Sequence, residues 1–343
     1  MTRTLARTHR VSAATTVIAD PVMPPSSHPL VVWPAPQPAK RKRIALAGER
    51  NAAIEWIAQV PVLIEAAGAR VEWIESGETI AAIERAIENS DAVVTTSAPD
   101  VVTAGRSRAR RFHSVARCVS AFDSSLAPHS LRHLDLLLVG AMLPNAHSWE
   151  RSVRLACTWA RDEERGRVHC AVRDPGWPIL ASDRAIRFRR IAREHREVES
   201  LRTTFHDARR RLLFESRTYE ALVADAADLD ALARAAGAGV GWCSATPALF
   251  VGEACAVLDL DVASAARSRS AEAALAASLA MVRLLRHLGE VAAAARLASA
   301  LRVEVAERVE LARDLWLDLA SDTPGRFLDA VCERLEAVAP SVN

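Results

Sequence analysis

From residue 43 onward the chain alternates short apolar runs with longer stretches in which apolar residues recur every three or four positions. RIALAG (43–48) is an apolar run closed by glycine, a buried-strand pattern. AAIEWIAQVPVLIEAAG (52–68) has helical spacing and stops at Gly68, a C-cap residue, while Pro61 predicts a kink or two successive helices. ARVEWIES (69–76) predicts a second strand, ETIAAIERAIENS (78–90) a helix and DAVVTTS (91–97) a third strand. Short joins between alternating strands and helices predict an α/β layer architecture with parallel pairing.

The pattern continues with a strand at LDLLLVGAM (134–142), a helix at SWERSVRLACTWARDE (148–163) and a strand at GRVHCAV (166–172). SDRAIRFRRIAREHREV (182–198) predicts a charged helix with Asp183 near its start. Residues 187–217, the most charged segment, predict a solvated helix pair stitched by i,i+4 contacts such as Arg193–Glu197, or a docking face for an acidic partner. Residues 270–309 are rich in Ala and Leu, and up to Gly289 the apolar positions cover more than one helix face, so the first half should be deeply buried.

Composition narrows the class. Half of the 343 residues are apolar and a quarter are charged, the profile of a globular protein with an ordinary core. A formal charge of +2 gives no strong pull towards nucleic acid or anionic lipid. No apolar run reaches the roughly 18–20 residues that span a bilayer. The six cysteines are scattered without a C-x-x-C pair, which argues against a zinc ribbon or a thioredoxin-type site and for reduced thiols. Residues 1–19 carry Arg3, Arg7 and Arg10 with no acid, as a mitochondrial transit peptide or a basic tail would. A proline-dense linker follows, so residues 1–42 are set outside the fold. The compartment expected is the mitochondrial matrix or the cytoplasm.

Several segments, in order, resemble the isocitrate/isopropylmalate dehydrogenase family of decarboxylating 2-hydroxyacid dehydrogenases. ALFVGEACAVLD with the Ala-rich helix after it (248–297) resembles A-L-F-E-x-x-H-G-S-A-P-D followed by a helix ending M-x-L-R-x-L-G. VPVLIEAAGARVEW (60–73), RSRARRFHSVARCVSAF (106–122) and WERSVRLACTWARDEERGRVHCAV (149–172) have the layout of three further family blocks. The resemblance implies two intertwined α/β domains with a cleft between them: a large domain from 43–130 plus 245–339 and a small dimerisation domain from 131–244. It also implies that the catalytic lysine reaches the cleft from the neighbouring subunit.

That chemistry needs arginines on the substrate carboxylates, a Mg²⁺ or Mn²⁺ on carboxylate oxygens, a lysine at the hydroxyl and a tyrosine to protonate the enolate. The positions that the resemblance assigns to these roles are altered. Cys170 occupies the lysine position, and Lys40 and Lys42 are the only lysines in the chain. Arginine does not substitute, because it keeps its proton at any working pH. Gly140 falls on an arginine, His147 on the tyrosine, and Tyr219 reads as a core residue. In the substrate clamp Ser107 is retained, but His113 and Asp123 take arginine positions. His206 falls on a metal aspartate with Asp207 one residue late. Asp230 survives in the second metal motif, opposed by Arg234, and also reads as the N-cap of ALARAAG. In the cofactor loop Asp259 remains, while the histidine and the close-approach glycine become Ala254 and Cys255.

The expectation is a non-catalytic subunit, a regulatory or structural partner that pairs with itself, with a paralogous dehydrogenase subunit or within a larger assembly. No cofactor is then expected. An active NAD(P)-dependent dehydrogenase with a rebuilt Mg²⁺ or Mn²⁺ site is one alternative. Nucleic-acid binding through the Arg-rich segments is the other.

Overall fold

The computed structural model describes residues 41–47, 59–77, 79–95, 112–120, 135–173, 178–215, 218–239, 247–260, 271–311 and 323–337. The reading of a leader and linker therefore lies outside the described residues, apart from its last two. Residues 41–343 cluster as a single compact unit.

Strand β1 (Lys42–Ala47) leads through α1 (Gln59–Ala66), β2 (Val71–Ser76) and α2 (Ile80–Asn89) to β3 (Ala92–Thr95). After β4 (Phe112–Ser120) and β5 (Asp135–Ala141) come α3 (Ala146–Asp162), β6 (Arg167–Val172), α4 (Pro178–Ala192), β7 (Glu199–Thr204) and α5 (Phe205–Phe214). Then follow β8 (Ala221–Asp225), α6 (Ala226–Gly239), β9 (Ala248–Gly252), β10 (Ala256–Asp259) and three helices, α7 (Ala271–His287), α8 (Val291–Leu311) and α9 (Pro324–Ala337). All ten strands join one sheet in the order β2-β1-β3-β10-β9-β4-β5-β8-β6-β7.

Parallel pairing holds at both ends of the sheet, β2-β1-β3-β10 and β5-β8-β6-β7. At the centre it fails. β9 runs antiparallel to β10 and β4, and β4 antiparallel to β5, so an antiparallel hinge of strands joins two parallel wings. Of the Arg-rich stretch that begins at Arg106, the part from Phe112 onward, with Arg117, is one of these central strands, and Arg106–Arg111 lie outside the described residues.

Local chemistry explains most boundaries. Gly68 adopts φ +76° after α1, and the Gly68 N–H to Glu65 and Ala69 N–H to Ile64 bonds complete a Schellman cap. Gly289, at φ +86°, ends α7 the same way. Leu275, Met281, Leu284 and Leu285 are buried, as the all-round apolar pattern of α7 requires. Thr79, Asn145 and Thr204 cap α2, α3 and α5 with their side-chain oxygens.

Three expectations need correction. β1 begins at Lys42, whose ammonium lies 3.2 Å from Asp91, so the fold starts one residue earlier than expected. The charged segment 187–217 is not a helix pair. α4 ends at Ala192 and β7 intervenes before α5, so Arg193 and Glu197 share no helix face. Its charges engage other elements instead: Arg187 and Arg190 reach Glu150 of α3, and Glu194 accepts from Arg154. Finally, α6 begins at Ala226, which puts Asp230 inside the helix and not at its cap.

Candidate functional site

A cavity of about 430 Å³ opens where four elements converge. Ile87 and Glu88 come from the end of α2, and Phe112 and His113 from the start of β4. Leu143, His147 and Ser148 come from the β5–α3 join, and Glu253, Ala254 and Cys255 from the β9–β10 turn. The cavity thus lies against the antiparallel centre of the sheet.

His113 is placed there by a β-bulge. Opposite β9, Phe112 pairs with Gly252 and Ser114 with Val251, leaving His113 as the extra residue. Such bulges re-aim a side chain out of the ladder. The His113 carbonyl accepts from Met142 N–H at 3.1 Å and from the Ser148 hydroxyl. Its ring Nδ1 lies 2.7 Å from Ser114 Oγ, which lies 2.7 Å from Ser152 Oγ of α3; both serines are fully buried. Burial, and then the neighbouring Arg151 cation, push the His113 pKa down to about 4, so its imidazole is neutral near pH 7.

The rim is ionic. Arg151 Nη2 lies 2.7 Å from Glu253 Oε1, and His147 Nε2 lies 3.9 Å from the same oxygen. Ser148, Arg151 and Glu253 carry no signal of their own in the sequence. Only the fold, which sets the first turn of α3 against the β9–β10 turn, groups them with His113 and His147.

The structure thus gathers His113, His147 and the loop around Ala254 and Cys255, but not the other predicted residues. Cys170 lies in β6 between Arg202 of β7 and Val223 of β8, fully buried, and burial pushes its thiol up to about 12. It is not among the residues that line this cavity. Gly140 lies in β5, where an added Cβ would come within 3.0 Å of the Ala226 backbone at the start of α6. A side chain there would press on backbone and on Leu229, so a residue as long as the expected arginine is strongly disfavoured. His206 is exposed on α5, and Asp207 receives the Thr204 cap through its N–H. Asp230 pairs with Arg117 of β4 at 2.9 Å, and Arg234 is exposed one turn further along α6. Asp259 is buried in β10, and Tyr219 is a core residue whose ring meets His169 edge-on at 4.7 Å. Ser107 and Asp123 lie outside the described residues.

Among the described residues no three His, Cys, Asp or Glu side chains converge as a metal site, and Asp230 already holds a guanidinium. Cys255, which the resemblance sets at the cofactor loop's close-approach glycine, is buried. Among the described residues no helix is long and apolar enough to cross a membrane.

Two wings of parallel strands joined by antiparallel ones, with a cleft at the junction, define a mixed α/β architecture known from solved structures. Isocitrate dehydrogenase from Methylococcus capsulatus superposes with a TM-score of 0.69 at 18% identity, over 86% of this chain and 100% of that one. The TT0538 protein from Thermus thermophilus superposes with a TM-score of 0.68 at 19% identity, over 86% of this chain and 68% of that one. The protein has the isocitrate dehydrogenase fold. No family model matches the sequence, and no curated protein matches it.

Proposed function

We propose that the chain is a non-catalytic member of the isocitrate/isopropylmalate dehydrogenase family, acting as a regulatory or structural subunit of a homo- or hetero-oligomer. One observation carries this reading: positions that the family resemblance assigns to chemistry are used here for packing. Cys170 is fully buried between two strands, with its thiol pushed up to about 12, and thus offers no base. Gly140 leaves 3.0 Å between a would-be Cβ and the α6 backbone, and thus offers no clamp. The decisive assay incubates the purified full chain with isocitrate, isopropylmalate, malate or tartrate, Mn²⁺ and NAD or NADP. The expected result is no reduced cofactor above the blank. Turnover within a few-fold of an ordinary dehydrogenase overturns the proposal. Affinity purification from the native source then identifies the partner by its stoichiometric recovery.

A further inference from the structure

The buried serine pair behind His113 bears on where the imidazole proton resides. Ser152 Oγ faces three carbonyl oxygens, those of Ser148 at 2.9 Å, His113 at 3.3 Å and Gly140 at 3.4 Å. Two oxygens 2.9 Å apart repel unless a proton lies between them, so donation from Ser152 to the Ser148 carbonyl is the arrangement that relieves this crowding of acceptors. Ser152 Oγ is then left to accept from Ser114 at 2.7 Å. That uses the Ser114 proton, so Ser114 Oγ accepts in turn from His113 Nδ1–H, also at 2.7 Å. A neutral ring with its proton on Nδ1 carries a lone pair on Nε2. With the hydroxyls running in this direction, His113 presents Nε2 to the cavity as a hydrogen-bond acceptor.

The rest of the lining has a matching character. Ile87, Phe112, Leu143, Ala254 and Cys255 supply an apolar wall, and Glu88 and Glu253 supply carboxylates. The described lining contains no lysine or arginine; Arg151, beside it, engages Glu253 at 2.7 Å. A polycarboxylate would meet the Nε2 lone pair and find no ammonium or guanidinium among the described lining residues.

We infer that this cavity receives a small molecule with an apolar body and a hydrogen-bond-donating head, an amine or an alcohol, which donates to His113 Nε2. The inference rests on the reading that the cleft no longer performs dehydrogenase chemistry, and it replaces the acidic substrate class with a donor class.

The test uses the full chain with ¹⁵N-labelled histidine, the His113 signals being assigned by their loss in His113→Gln. Imidazole nitrogen shifts are read at pH 7.5 during separate titrations with benzylamine, benzyl alcohol and benzoate. The expected spectrum has the proton on Nδ1. Benzylamine and benzyl alcohol shift the Nε2 signal to saturation, and benzoate leaves it in place. In Ser152→Ala, which removes the acceptor for Ser114, the Ser114 hydroxyl turns to His113 Nδ1, the proton moves to Nε2, and the two donors lose at least tenfold in affinity. A wild-type proton on Nε2, an equal response to benzoate, or no response to either donor overturns the inference. None of these outcomes touches cofactor reduction, so failure here and failure of the non-catalytic reading are read separately.

Discussion

Cys170 and His147 both stand where the family resemblance places a catalytic side chain, and the fold treats them in opposite ways. Cys170 lies in the parallel wing, fully buried in β6 and flanked by β7 and β8. His147 lies at the antiparallel centre, in the first turn of α3, with its side chain 69% exposed beside Glu253. A position absorbed into a sheet is held by every neighbour that packs on it, whereas a rim position is held by little more than its own backbone. The side chain at the wing position is therefore set by the packing of the fold, whereas at the rim it is free to vary.

Restoring the family residue at each position makes that contrast measurable. Cys170→Lys forces an ammonium, without a carboxylate partner, into the sheet. It should cost several kcal/mol and move the urea midpoint far down, with no gain of cofactor reduction. A folded, active Cys170→Lys protein would break the comparison. Acid should produce a smaller effect that draws on both regions. His113 at the centre falls from an ordinary 6.5 to about 4, and burial also lowers His169 in the wing and His287. The unfolded chain binds these protons first, so stability is complete above about pH 6.5 and declines as pH falls towards 4. A series of urea midpoints across that window should show the decline, and His113→Asn should flatten part of it. The smallest effect belongs to His147→Tyr, which should change stability by no more than about 0.5 kcal/mol, because the side chain is largely solvated.

The strands and helices of the parallel wings were legible because each carries its own signal. Apolar runs mark β1, β5 and β6, Gly68 and Gly289 mark helix ends, and all-round apolarity marks α7. Two of the elements missed, β4 and β7, carry side chains that contradict their position. β4 carries His113 and Arg117 inside the sheet, tolerated because Ser114 and Asp230 partner them. β7 is an edge strand with largely exposed, polar residues, so nothing in its pattern separates it from the charged helices on either side. The site was legible in half. His113 and His147 were found through the family resemblance, but a bulge, a rim ion pair and a serine relay are properties of register and contact. Arg151, Ser148, Ser152 and Glu253 acquire meaning only when α3 is laid against β4 and the β9–β10 turn.

Lys42, at the first position of β1 and 40% exposed beside Asp91, has a practical bearing on any search for companions of this chain. With its sole fellow lysine two residues upstream, everything from Arg43 to the C-terminus is silent to amine-directed cross-linkers. Within the body such reagents find Lys42 as the one side-chain amine, whatever surface is in use. Carboxylate-directed coupling, which has acidic side chains on nearly every helix to choose from, is the chemistry suited to mapping an interface here.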